Sequence, residues 1–399
     1  MTWRPVLILA TLSGCMSQGD YQPYEHISPA AVAANGSAEL VVWSDYMEDA
    51  AGDGPTQSRV IGQLVVGGST RSDAITISNG FATAVAWDST QWVVADTATV
   101  TRVDPANTSA TSSMLPFLPS TGDAATNPSE SLAQLACGSA GCLVVFAVKR
   151  GSLPAGISGV RIDHDGVALD ATPFSIADGD LYAPHVGFDG SHYWVTWSGD
   201  YDASQLTERL DGVRVAEDGT ILGPPVTIAP ALLPDGAGPA DPEGVQAAIA
   251  CETGMCLVVF GGTTQVADPQ IEGVRVDSTG AVLDAQPIGI VPRSCAVTLR
   301  DGPAVAFDGT NYLVGGMCGD TNPSYATLVS SAGVVLGPSG SISGAQGERF
   351  ASIAGAAGEF FAVWEGSNPT DIRGARISDA GNVLDSDGFA IGAIGESTN

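Results

Sequence analysis

Lysine is almost missing from this chain: Lys149 is the only one, and lysine and arginine together number 15 against 44 acids in 399 residues. The formal charge of −29 surrounds the molecule with a negative field that repels phosphate backbones and anionic headgroups, which excludes nucleic-acid binding. Histidine is scarce too. His26, His164, His185 and His192 are scattered, so they do not form a metal centre by themselves. No HExxH, GxSxG, CxxC or phosphate-loop pattern occurs, which leaves a zinc or serine hydrolase, a dithiol oxidoreductase and a P-loop nucleotidase without support. No run reaches the roughly 18 apolar residues of a membrane-spanning helix. Helical periodicity is nowhere sustained, and 50 glycines with 24 prolines punctuate the sequence as turns punctuate short strands.

Among what is present, the N-terminus reads as an export signal. Arg4 supplies a positive region, residues 6–12 form a short apolar core, and small residues precede Cys15. Leu12-Ser13-Gly14-Cys15 resembles the lipobox of bacterial lipoproteins. The resemblance implies cleavage after residue 14, a lipid on the Cys15 sulfur and a tether over residues 15–29. Met16, where an aspartate would signal otherwise, implies an outer-membrane location in the cell envelope. Six cysteines then remain, an even number suited to disulfides in an oxidising compartment.

A repeat organises the rest, residues 30–395. The stretch ACGSAGCLVVF at 136–146 returns as ACETGMCLVVF at 250–260, and AWDSTQWVVA, GFDGSHYWVTW and AFDGTNYLVGG at 86–95, 187–197 and 306–316 fall in the same frame. Each has a residue pair flanking four turn residues: Trp87/Trp92, Cys137/Cys142, Phe188/Tyr193, Cys251/Cys256 and Phe307/Tyr312. Two copies degenerate at the pair end in LVVW at 40–43 and FAVW at 361–364, which brings the count to seven at a period of about 50 residues. Each later unit adds a Gly-apolar-Arg-apolar strand, carrying Arg161, Arg214, Arg275 or Arg376, then a glycine turn and an apolar strand such as VALD.

Four short antiparallel strands repeated seven times predict an all-β, seven-bladed β-propeller, since radial closure buries both faces of every blade. Two smaller β domains divided near 230–242 are the alternative. The repeat as a whole resembles the AFDGxxYLVVW…GxRV…DGxVLD units of secreted and lipid-anchored bacterial proteins, myxobacterial ones in particular, and that resemblance implies a fold but no activity. Within this frame opposed cysteines flanking a tight turn predict Cys137–Cys142 and Cys251–Cys256, which leaves Cys295–Cys318.

Function is expected in what does not repeat. The loops after the second strand of each unit diverge, and strand direction gathers them at one end of the ring with the connections between blades. Asp45 and Tyr46, Asp200-Tyr201-Asp202 and Asp320 combine carboxylates with aromatic rings, a composition suited to a sugar or a cationic group. They are the candidate binding residues for a protein or glycan. Asp163, Asp165 and Asp170 form a fragment of a calcium loop without its terminal glutamate. Apart from that Ca²⁺ no cofactor is implied, and a monomer is expected. The four arginines read as braces between blades. A glycosidase or lyase is a second reading, against which the Asp-Gly turns lack the spacing of sialidase Asp-boxes; a structural envelope protein is a third.

Overall fold

The computed structural model describes residues 24–393 except 28–30, 49–54, 71, 97–98, 108, 116–132, 149–154, 203–206, 233–244, 246, 262–270, 292–301, 318–323, 344–348 and 367–370. The described residues hold strands and turns with no helix. They form seven antiparallel sheets in chain order, six of four strands and a first one of six, in which two short strands extend a four-stranded blade.

Each blade begins at the centre of the ring. The innermost strands are Ala31–Ala34, Ala82–Trp87, Gln134–Cys137, Leu181–Phe188, Ala247–Glu252, Ala304–Phe307 and Arg349–Ala356. Successive ones touch, and Ala31–Ala34 touches both Ala82–Trp87 and Arg349–Ala356, so the circle closes on itself. All four strands of the last blade come from Arg349–Ala393 and none from the N-terminus. Among the described residues packing, with no shared strand, therefore holds the seam. The alternative of two separate β domains is overturned by this continuous ring.

The core lies between blades. Seven clusters of buried apolar residues exist among the described residues, one for each junction of adjacent blades. The second strand of the third blade, Cys142–Val148, shows why its sequence is a continuous apolar run: Val144, Phe146 and Val148 face the second blade, while Leu143, Val145 and Ala147 face the fourth. A strand buried on both faces has no polar side to alternate with. At the seam the same logic joins Val32, Trp43 and Ile61 of the first blade to Phe361, Val363 and Ile391 of the last.

The flanking pair keeps one register in all seven blades. Trp87 lies opposite Trp92, Cys137 opposite Cys142, Phe188 opposite Tyr193, Cys251 opposite Cys256 and Phe307 opposite Tyr312. Ala34 opposite Glu39 and Gly355 opposite Phe360 fill the same place in the two degenerate copies. The aromatic pairs meet with ring centroids 4.7, 4.9 and 4.8 Å apart. Both predicted hairpin disulfides are formed, with Cα atoms 4.0 and 3.9 Å apart. Cys15, Cys295 and Cys318 lie outside the described residues.

Candidate functional site

The ring has two chemically different ends. At one, the turn end, every blade presents the hairpin between its first and second strands and the turn between its third and fourth. At the other, the loop end, lie the loops between second and third strands and the connections from blade to blade.

The turn end is built by repetition. Asp88, Asp189 and Asp308 are buried, and one carboxylate oxygen of each accepts two backbone N–H bonds across its hairpin, from Thr90 and Gln91, Ser191 and His192, and Thr310 and Asn311, all at 2.8 Å. Burial pushes the Asp88 carboxyl up, but the hydrogen bonds from Thr90 and Gln91 outweigh it and hold it below the usual carboxylate range. His164, from the next blade, sets Nδ1 3.4 Å from Asp88 and Nε2 3.0 Å from the Ser139 carbonyl. The Ser139 carbonyl and then Asp88 raise its pKa against partial burial.

The arginines are braces, with a partner the sequence reading placed on neighbouring blades. Arg161, Arg275 and Arg376 each form a bidentate pair with the aspartate nine positions later in the same blade, Asp170, Asp284 and Asp385, and that carboxylate also accepts the arginine's own backbone N–H. The neighbour contributes a glycine. The guanidiniums of Arg161, Arg214, Arg275 and Arg376 lie over the turns at Gly219, Gly280, Gly333 and Gly68 of the following blade, the last across the seam. Gly223 replaces the aspartate partner of Arg214, which instead donates to the Ser278 carbonyl at 2.5 Å. In the second blade Asn107 takes the glycine's positive φ, 56°, and its amide reaches back to the Gly62 carbonyl at 3.0 Å.

These engagements dissolve the calcium fragment. Asp170 is committed to Arg161, Asp163 accepts the N–H groups of Asp165 and Val167, and exposed Asp165 stands 3.8 Å from Arg102. No group of three metal-binding side chains occurs among the described residues.

The disulfides alternate with aromatic pairs because they share space. Tyr193 donates to the carbonyl of Gly141, inside the Cys137–Cys142 hairpin, at 2.9 Å, and Tyr312 to Glu252, inside the Cys251–Cys256 hairpin, at 3.2 Å. A Cβ on Gly187 would stand 2.6 Å from the Cys251 sulfur. The compact cystine hairpin makes room for the large rings of the following blade.

At the loop end equivalent positions carry different chemistry. Opposite the residue four positions past the second member of each flanking pair (Cys142, Tyr193, Cys256, Tyr312 and Phe360) stand Ser158, Asp211, Glu272, Tyr325 and Arg373 in blades three to seven. The candidate Asp45 is buried there together with Asp96, Glu208, Asp211, Glu272 and Glu365, five acids that sequence reasoning missed because nothing in their spacing marks them. Arg59 pairs with Asp45, Arg209 with Asp211 at 2.7 Å, and Glu208 accepts the Val245 N–H at 2.9 Å. Of the candidate residues, Asp45 is held by Arg59, and the Tyr46 ring packs on Phe81 with centroids 5.4 Å apart. Asp200, Tyr201 and Asp202 end the strand His192–Asp202, with side chains outside the described set, as is Asp320.

No family profile and no curated protein sequence matches the chain. Solved structures do. The β-propeller domain of the Trilobed protease from Pyrococcus furiosus, described as having an open velcro topology, aligns at TM-score 0.51 and 9% identity over 93% of this chain and 99% of that one. A puromycin-hydrolyzing peptidase of Mycobacterium tuberculosis aligns at TM-score 0.51 and 12% identity over 94% of this chain, which spans 54% of that protein. At such identities the likeness is one of fold alone.

Proposed function

We propose that this chain is a lipid-anchored propeller of the bacterial cell envelope, held at the outer membrane through Cys15, that binds a protein or glycan through its loop end. The observation that carries the reading is the contrast between the ends: the same caps and braces recur from blade to blade at the turn end, while one register position at the loop end holds serine, aspartate, glutamate, tyrosine and arginine in turn. Repetition of bonded groups makes a rigid support, and variation on a rigid support is the pattern of a recognition surface. Two hairpin disulfides fit an oxidising compartment. Asp45 and Tyr46 also contact Arg59 and Phe81, so substitutions there would disturb packing as well as binding, and Asp200, Tyr201, Asp202 and Asp320 are the residues to test first. A glycan array and an envelope-protein pulldown with the full chain are expected to give saturable binding that D200N/Y201A/D320N weakens at least tenfold without lowering the melting temperature. Binding unchanged by those substitutions would move the site elsewhere, and no saturable binding would leave a structural envelope protein.

A further inference from the structure

We infer that the outer edge of the second blade is a further interaction surface, which takes an extended, lysine- or arginine-bearing segment of a partner protein as a fifth strand. It lies on the wall of the ring and rests neither on the Cys15 anchor nor on the loop-end reading. An edge strand offers a row of unpaired N–H and C=O groups to any extended chain, and bulges, prolines and charges are what blunt it. The other blades are blunted. In blades three, four, five and seven the chain leaving the glycine turn touches the third strand at one isolated bridge, as Ile162 does with Ala168 and Val276 with Val282. The fourth strand then pairs with a register shift, as it also does in blade one, and the residue left out of the pairing is Ile77, Ile176, Ile228, Ile290 or Ile391, each buried in a junction. Blade six shifts register twice and holds Pro338.

Blade two is built differently. Its fourth strand, Ala110–Met114, runs straight from the turn into a ladder with residues 103–99, five pairs with no register shift. Leu115, just past the strand, fills the junction as those isoleucines do, so the strand itself is spared that role. Four of its five residues are exposed, Met114 at 74%, and none is charged, proline or glycine. The Asp104 N–H donates to the Ser109 carbonyl at 3.1 Å, which fixes the alternation along the ladder. Thr111 and Ser113 turn their backbone groups to the third strand, and Ala110, Ser112 and Met114 turn theirs outward. Among the described residues no strand pairs with that edge. A peptide laid along it bonds to three residues and finds an apolar side chain at Met114. Charge selects the occupant. A second copy brings the same −29 and is repelled, whereas a basic segment is drawn in by the field and meets an edge with no charge of its own to desolvate.

Three fluorescent decapeptides titrated into the full chain test this: one alternating valine and lysine, one alternating valine and glutamate, and one alternating proline and lysine, which keeps the charge but cannot join a ladder. The valine–lysine peptide is expected to bind saturably at physiological salt, and the other two at least tenfold more weakly. Ser112→Pro removes one outward N–H and leaves the ladder bonds of Thr111 and Ser113 in place, so it is expected to weaken the valine–lysine peptide at least tenfold with the melting temperature kept. Met114→Lys, which puts a like charge beside the basic peptide without touching the backbone, is expected to weaken it at least threefold and stands in should the proline variant fail to fold. Equal binding of the two lysine peptides, or binding that neither substitution changes, would reduce the attraction to charge alone and overturn the edge as its site. Absence of saturable binding would overturn the inference. So would a dimer, seen by light scattering, that Ser112→Pro abolishes, since the edge would then belong to a second copy.

Discussion

Single residues set tolerances that composition does not suggest. Gly187 sits where a Cβ would stand 2.6 Å from the Cys251 sulfur, and a disulfide cannot retreat as a flexible side chain can. Gly187→Ala is expected to cost about 1–3 kcal/mol by overpacking the junction of blades four and five, read as a lower denaturant midpoint. Glu39 is a second such position. It takes the place that Trp92 and Tyr193 fill in other blades, and burial, then the Glu359 carboxylate, push its pKa from 4.5 to about 7 against its own backbone hydrogen bond and Arg376. The folded state thus holds this proton more tightly than the unfolded one, so stability falls as pH rises from about 4.5 to about 7. Glu39→Gln removes the titration. Thermal melts at pH 8 are expected to show a gain of about 1–2 kcal/mol, the full shift being discounted for partial solvation, and no gain near pH 4.5. His164 acts in the same sense at higher pH: its raised pKa lends stability that is complete below about 6.5 and lost as pH climbs through the folded value.

Hairpins and braces were the most legible elements. The five-residue separation of the flanking pair revealed opposed positions, and both disulfides follow from that geometry. The arginines were legible as braces, but their partners within the same blade were not: the VALD segment reads as a strand, and the bond that folds Asp170 or Asp284 back onto the arginine nine positions earlier is a tertiary consequence of the turn. Buried acids of the loop end such as Glu208 and Asp211 left no mark, because a carboxylate satisfied by the Val245 N–H or by Arg209 looks in sequence like any surface acid. Removing one disulfide with Cys137→Ser and Cys142→Ser is expected to lower stability by about 2 kcal/mol, the entropy of a short closed loop, while the circular-dichroism spectrum stays β-rich. Placing Phe and Tyr there is expected to cost more than the two serines, since Phe188 and Tyr193 already occupy the adjoining space.

At the scale of the molecule, the ring is a set of seven junctions without a central core, and its weakest logical point is the seam where the first blade meets the last. The repeat count and β architecture were legible because each unit repeats its hydrophobic pattern. The mode of closure was not, because the sequence does not say whether the last blade borrows a strand. Here it borrows none, and the seam depends on contacts such as the Trp43 ring, which would lie 2.6 Å from a Cβ on Gly392. Closure is therefore open to one direct measurement, a double-mutant cycle of Gly392→Ala and Trp43→Phe by denaturant unfolding. In the closed ring Gly392→Ala costs about 1–3 kcal/mol beside Trp43 and much less beside the smaller phenylalanine, a coupling above about 1 kcal/mol between the first and last repeats. Effects that add to within about 0.5 kcal/mol would mean that the two residues do not meet and that the seven blades do not close as described.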